Sequence, residues 1–426
     1  MARRITRRRF IKSTAAGAAG ALAFQAADFT LSAQRPQLPP PQQSGIDRLV
    51  VVMMENRSFD HMMGWVPAAE GRQGGLEYPN RDGVLRPTYP LAPDYQGCLH
   101  PDPDHSYDGG RIQLNGGACD GWLRSGSSDE YAIGFYTEAD LPFFSGAARH
   151  WTICDQFFSA TMGPTFPNRF YLHCGQTDRM TNSFVPSELP TIWDRLADRS
   201  VSARYYFSDV PFLAFWGTKY LPIASHISSF FEACQTGRLP EVSFVEPRFI
   251  EESSGISNDD HPHADVRDGQ AFQNLIYEAV TGGRMWQNTM LVFLYDEWGG
   301  FFDHIAPTSA PTSSIDRAAG NLDGLRGFRV PAIIVAPFAR RGYVAHTVFD
   351  HASVLRFIEW RWRLDPLTDR DATANNLASE LDFEKRSLAA PLYDVPPGPH
   401  ATFCAPSEID KWVTLQKIAA ALGFFR

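Results

Sequence analysis

Residues 51–60 read VVMMENRSFD, an apolar run that stops abruptly on a glutamate and an asparagine. A continuous apolar stretch, without the alternation of a half-exposed strand, is what a strand buried on both faces of a parallel sheet requires. The same grammar recurs outward along the chain in IDRLVVVMMEN (46–56), SARYYFSD (202–209), EVSFVEP (241–247), TMLVFLYDEWGG (289–300) and PAIIVAP (331–337). Between these runs, QAFQNLIYEAV (270–280) and HASVLRFIEWRW (351–362) have helical character. The pattern predicts an α/β fold with a mainly parallel central sheet sandwiched by helices. Ligands of such sheets gather at the carboxyl ends of the strands, so Glu55 and Asn56 mark the rim of a site.

The 426 residues are 44% hydrophobic, enough for one large core or two modest ones. The first 27 residues read as a separate object: TRRRFIK (6–12) precedes the small, apolar STAAGAAGALAFQAA, a twin-arginine type of export signal. Residues 28–426 are then expected to form the catalytic domain, exported to the periplasm or secreted through the twin-arginine machinery. No other run reaches the ~18 apolar residues of a bilayer span. Loss of the signal removes six basic residues and takes the formal charge from −9 to about −15, which argues against nucleic acid as a partner. Six cysteines suit an oxidising compartment, with pairing left open by the sequence.

Asp296 and Glu297 repeat the strand-end pattern, with Gly299 and Gly300 allowing a tight turn beside them. Neighbouring carboxylates facing one cavity call for a cation. In TMGPTFPNRFYLHCG, Thr165 sits at the start of a helix whose first turn holds Pro167, where a hydroxyl meets free amides and the positive end of the helix dipole. That placement suits a nucleophile attacking phosphorus, with Asn168 and Arg169 as phosphate-binding candidates; a plain helix cap is the alternative. His105, His261, His304 and His226 lie in polar loops or at strand ends and are candidates for delivering a proton to a leaving oxygen.

In order, ENRSFDHMMGW, DPDHS, GPTFPNR, LPEVSFVEP, NDDHPHAD and YDEWGGFFDH resemble the bacterial phosphoesterases that include phosphatidylcholine-type phospholipases C and an acid phosphatase. The resemblance runs from about Ile46 to Glu359. It implies a fold similar to the alkaline-phosphatase superfamily and one divalent metal ion, calcium, zinc or another. Glu55, Asn56, Asp296 and Glu297 match metal ligands, and Thr165 matches a hydroxyl nucleophile that also touches the metal. His105 and His261 match histidines near the phosphate, and His226 matches a third at altered spacing. HPHAD replaces the more usual HPPAD and adds His263 as a further substrate-side imidazole. The larger phospholipases of this kind carry C-terminal β domains, for which the residues after the last matching block are too few.

The resulting expectation is phospholipase C-like cleavage of phospholipid phosphodiesters. The alternatives are an acid phosphatase acting on small monoesters and a non-catalytic phosphoryl-binding protein. Residues 66–150 are expected to form a cap-like excursion over the strand ends. There Trp122, Tyr131, Phe135 and Tyr136 either line a choline-binding pocket or form the excursion's own core, with the core preferred.

Overall fold

The computed structural model describes residues 38–405 and 410–425; the expected signal at 1–27 lies outside them. Eight strands make the central sheet: β1 (Arg48–Met54), β2 (Thr152–Cys154), β3 (Ala203–Phe207), β4 (Ala224–His226), β5 (Val242–Val245), β6 (Thr289–Tyr295), β7 (Ala332–Val335) and β8 (Tyr343–Ala345). Their spatial order is β8-β2-β7-β6-β1-β5-β3-β4. Every neighbouring pair is parallel except the two made by β7, which runs antiparallel to β6 and to β2. The expected α/β sheet is therefore present, with one reversed strand that the apolar run PAIIVAP does not betray.

β1 and β6 lie at the centre and are buried on both faces, as their unbroken apolar runs require. Four helices bear on the site: α1 (Thr165–Cys174), α2 (Val266–Thr281), α3 (His351–Trp362) and α4 (Lys411–Leu422). α2 packs against β6, and α3 packs against α1. The register is decisive for the site. Met54, the last residue of β1, stands opposite Tyr295, the last of β6, and Val52 stands opposite Val245, the last of β5. Glu55, Asp296 and Glu246 therefore leave three adjacent parallel strands at one edge.

Residues 66–150 carry two small two-stranded sheets, Glu77–Pro79 with Leu85–Pro87 and Tyr89–Pro90 with Gly134–Phe135. Trp122 and Phe135 are buried in one cluster with Tyr78, Met162, Trp298, Phe302 and Phe328. Tyr131 stacks on His100 at 5.0 Å and Tyr136 donates to the Asp94 carbonyl at 3.0 Å, both fully buried. The four aromatics are thus core, and the choline-lining alternative is set aside. A disulfide joins Cys98 of this excursion to Cys404, whereas Cys119, Cys154, Cys174 and Cys234 are buried thiols.

Candidate active site

Where β1 ends, Asn56 takes φ 58°, a left-handed turn that asparagine tolerates better than most side chains. Its amide donates to Asp296 Oδ1 at 3.1 Å, stitching the end of β1 to the end of β6. The Glu297 amide donates to the same oxygen at 2.7 Å. Gly299 follows at φ 63°; a Cβ there would lie 2.0 Å from the Asn56 carbonyl oxygen, so only glycine lets the two turns meet. Its amide donates to Glu297 Oε2 at 2.6 Å. Glu55, Asn56, Asp296 and Glu297 are all fully buried.

α1 delivers the hydroxyl. Its N-cap is Pro164, which has no capping side chain, and the first-turn amide of Phe166 donates to Asn182 Oδ1 at 2.8 Å, so Thr165 is the first helical residue and its hydroxyl is not spent on a cap. Thr165 Oγ1 instead donates to Asn56 Oδ1 at 3.4 Å. One turn on, Arg169 Nε donates to Asp296 Oδ2 at 3.1 Å and lies 3.8 Å from Glu55 Oε1, while Nη1 donates to Glu246 Oε2 at 2.6 Å. Arg169 therefore balances acids from all three strand ends. Burial works against its charge, but Glu246, Asp296 and Glu55 outweigh that and hold its pKa above the usual arginine value.

Two imidazoles stand beside the acids. His105 and His261 meet edge to face at 6.0 Å between ring centroids. His105 Nδ1 donates to the Pro103 carbonyl and His261 Nδ1 to the Pro262 carbonyl, each at 2.8 Å. These bonds fix the tautomer and turn both Nε2 atoms inward. His105 Nε2 lies 3.9 Å from Glu297 Oε1, and His261 Nε2 lies 3.7 Å from Asp102 Oδ2. Burial, then the Lys411 ammonium, lowers the pKa of both rings. A cleft of ≈ 580 Å³ opens between His105, Asp102 and Pro164, the residue before Thr165.

The acids are short of positive charge. Burial pushes Glu55 up to about 8 and Asp296 up to about 7, and it raises Glu297 well above the carboxylate range. Glu55 Oε1, Glu297 Oε1 and Asn56 Nδ2 are buried without a hydrogen-bond partner. Unsatisfied carboxylate oxygens of this kind are costly unless a cation meets them. The set of three carboxylates, an amide and a hydroxyl fits a divalent ion. Among the described residues, three groups bring ligand atoms within 4.8 Å of one another: Glu55, Glu252 and His261, and Asp102, His105 and His261, both beside these strand ends, and Asp60, Asp303 and His304 away from them.

Several expected residues are placed elsewhere. His304 is tied by its ring Nδ1 and its amide to Asp60 Oδ2, at 2.5 and 2.9 Å, in a knot with Arg329 and Asp303. His226 ends β4 at the sheet edge, three strands from β1, exposed and bonded to Ser228. Asn168 spends its side chain on the Gly163 and Pro164 carbonyls and the Thr161 amide, shaping the turn before α1 rather than facing a phosphate. His263 is buried with Nε2 2.9 Å from the His100 carbonyl. Arg169 remains at the site, but its Nε and Nη1 face acids. The sequence reading missed Glu246, which closes β5 as Glu55 closes β1 and was findable by the same rule. It also missed Glu252, Lys411 and Trp412, which no local signal announces.

Residues 46–365 match the family model described as "Phosphoesterase family". The chain is 30% identical over 408 residues to non-specific phospholipase C1 of Arabidopsis thaliana, covering 84% of this chain and 74% of that protein. It is 29% identical over 404 residues to non-specific phospholipase C6 of the same plant, covering 83% and 76%. To phospholipase C B of Mycobacterium tuberculosis it is 28% identical over 463 residues, covering 89% and 86%. Among solved structures it is similar to a protein in the alkaline phosphatase superfamily from Vibrio parahaemolyticus, with a TM-score of 0.39 at 10% identity over 91% of this chain and 88% of that one.

Proposed function

Since this chain belongs to the phosphoesterase family and is a phosphoric ester hydrolase, we propose that it cleaves phospholipid phosphodiesters in the manner of a phospholipase C, with Thr165 as nucleophile. The observation that carries the reading is the Thr165 hydroxyl, freed from capping and turned onto Asn56 beside buried carboxylate oxygens that lack donors. A divalent ion held by Glu55, Asn56, Asp296, Glu297 and Thr165 would supply Lewis-acid stabilisation of a phosphoryl oxygen and lower the proton affinity of the attacking hydroxyl. With its proton passed to solvent water, Thr165 Oγ1 attacks phosphorus in line, and the bond to the diacylglycerol oxygen breaks. His105 or His261, protonated at Nε2 once the anionic phosphoester is in place, gives its proton to that leaving oxygen. Their Nδ1 atoms are committed to backbone carbonyls, so the proton leaves from the inward-facing atom. Water then releases the phosphoryl group from Thr165, with the same imidazole accepting the water's proton and Thr165 Oγ1 regaining its own from solvent.

The substrate reading rests on the phospholipases named above, and on a cleft beside His105 large enough for a diester's second substituent. Export through the amino-terminal signal belongs to the same proposal. Among the described residues, no helix is long and apolar enough to cross a membrane. The test is hydrolysis of a phosphocholine diester and of a simple phosphate monoester by the purified protein, with and without chelator. Diester turnover lost on chelation and regained with a divalent ion is the expected result. Preference for the monoester would make the protein phosphatase-like, and inactivity on both would overturn the reading.

A further inference from the structure

The two oxygens of Glu55 live in different surroundings. Oε1 has no hydrogen-bond partner. Oε2 accepts from the Trp412 indole N–H at 3.2 Å and lies 3.7 Å from Lys411 Nζ. The same two side chains hold Glu252: Trp412 Nε1 donates to its Oε2 at 2.9 Å and Lys411 Nζ to its Oε1 at 2.6 Å. Both residues open α4, where Asp410 caps the amides of Trp412 and Val413. The Trp412 ring is fully buried, stacked on Phe249 at 4.1 Å and set edge-on to Phe166, the neighbour of Thr165, at 5.4 Å. Upstream, Gln96 accepts from the Thr402 amide and hydroxyl, and Cys404 is bonded to Cys98. The tail is thus fastened to the excursion that bears His100 and His105. All of these tail residues lie beyond the family-matched segment 46–365.

We propose that Lys411 and Trp412 are positioning residues for the site, supplied by the carboxy-terminal tail. By engaging Oε2 they fix the rotation of Glu55 and leave Oε1 as the oxygen presented to the cation. Lys411 also stands between two carboxylates that would otherwise repel each other and compete for the same ion, since Glu55, Glu252 and His261 offer ligand atoms within 4.8 Å of one another. Partners that orient a ligand in this way raise ion affinity and rate together. The inference rests on the proposed role of Glu55 as an ion ligand, and the experiment separates the two.

Trp412→Phe keeps the stacked ring and removes only the N–H donor; Lys411→Met keeps the stem and removes the charge. Chelator-treated full-length wild type and Trp412→Phe are titrated calorimetrically with calcium and with zinc. Melting temperatures, kcat and KM are measured for both variants. Trp412→Phe is expected to bind the ion about 10–100-fold more weakly, and both variants to lose kcat with KM nearly unchanged and a cooperative melt retained. Wild-type ion affinity and kcat in Trp412→Phe, or a lowered melting temperature as its only defect, would overturn the inference while leaving the proposed function intact. Failure of the wild type to bind either ion would overturn both.

Discussion

Among the described residues, two of the buried knots of acid are built in opposite ways. In the first, every carboxylate oxygen has a donor. Asp60 Oδ1 accepts from the Arg72 amide and from Arg329, its Oδ2 from the amide and ring of His304. Asp303 Oδ1 accepts from Arg329 Nε and the Ile305 amide, its Oδ2 from the Asp60 amide. In the second knot, Arg169 serves Asp296, Glu55 and Glu246 at once, and Glu55 Oε1 and Glu297 Oε1 remain without donors. Both offer carboxylates beside a histidine, so residue type alone does not separate them. Hydrogen-bond accounting does: every carboxylate oxygen of the closed knot has a donor, whereas Glu55 Oε1 and Glu297 Oε1 in the open one have none.

The sharpest way to break this comparison is to remove each knot's charge balance in turn. Arg329→Met strands Asp60 and Asp303 and is expected to destabilise the fold by about 3–5 kcal/mol, read by urea unfolding. Glu297→Gln replaces a buried carboxyl group whose Oε1 has no donor. It is expected to leave the ion-free protein as stable as wild type or more so, while diester turnover is lost. Equal destabilisation by both substitutions would erase the distinction.

Histidines sharpen it next. His105→Gln, beside the open knot, is expected to lower kcat/KM on the diester by about 10²-fold or more. His304→Gln, in the closed knot, should change it far less and act instead on the melting temperature. A larger catalytic loss in His304→Gln would restore that residue to the site.

The smallest effect is a pH dependence of stability. Burial raises Glu55 to about 8 and Asp296 to about 7, so the folded protein holds protons that the unfolded chain has released. Their stabilisation is complete below the ordinary carboxylate range and is lost as pH rises through about 7 and 8. Asp303 in the closed knot, raised by burial to about 6, has finished titrating by then. His105 and His261, lowered by burial, act below their ordinary value of 6.5 and in the opposite sense. Chelated protein is therefore expected to melt lower at pH 8 than at pH 6.5, and a divalent ion to reduce that slope, the remainder coming from Asp260 and Glu359, which burial raises to about 7 and about 10. A flat profile without ion would mean that the open knot is already balanced.

Much of this was legible in the chain. An unbroken apolar run ending on an acid places that acid at a strand's carboxyl end, which located Glu55, Asp296 and Glu297, and the helix-opening position located Thr165. The same rule applied to EVSFVEP would have given Glu246. His304 misled because GGFFDH looks like the other histidine loops, and only the three-dimensional pairing with Asp60 distinguishes it. Asn168 misled because an asparagine one turn into a helix can face either a ligand or the preceding loop, and here it holds Gly163 and Pro164. β7 hid its direction because apolar runs carry no polarity. Lys411 and Trp412 were invisible because their partner Glu55 lies more than 350 residues away in sequence, and long-range docking of a tail helix leaves no local periodicity.

The central claim, that Thr165 is the nucleophile beneath the strand ends, is tested most directly by one experiment. Thr165→Ala is assayed on a phosphocholine diester alongside wild type quenched in acid during turnover, with the peptide carrying residue 165 weighed by mass spectrometry. The expected result is an inactive, normally melting variant and a phosphocholine adduct on Thr165 in the wild type. Wild-type turnover by Thr165→Ala would contradict the claim.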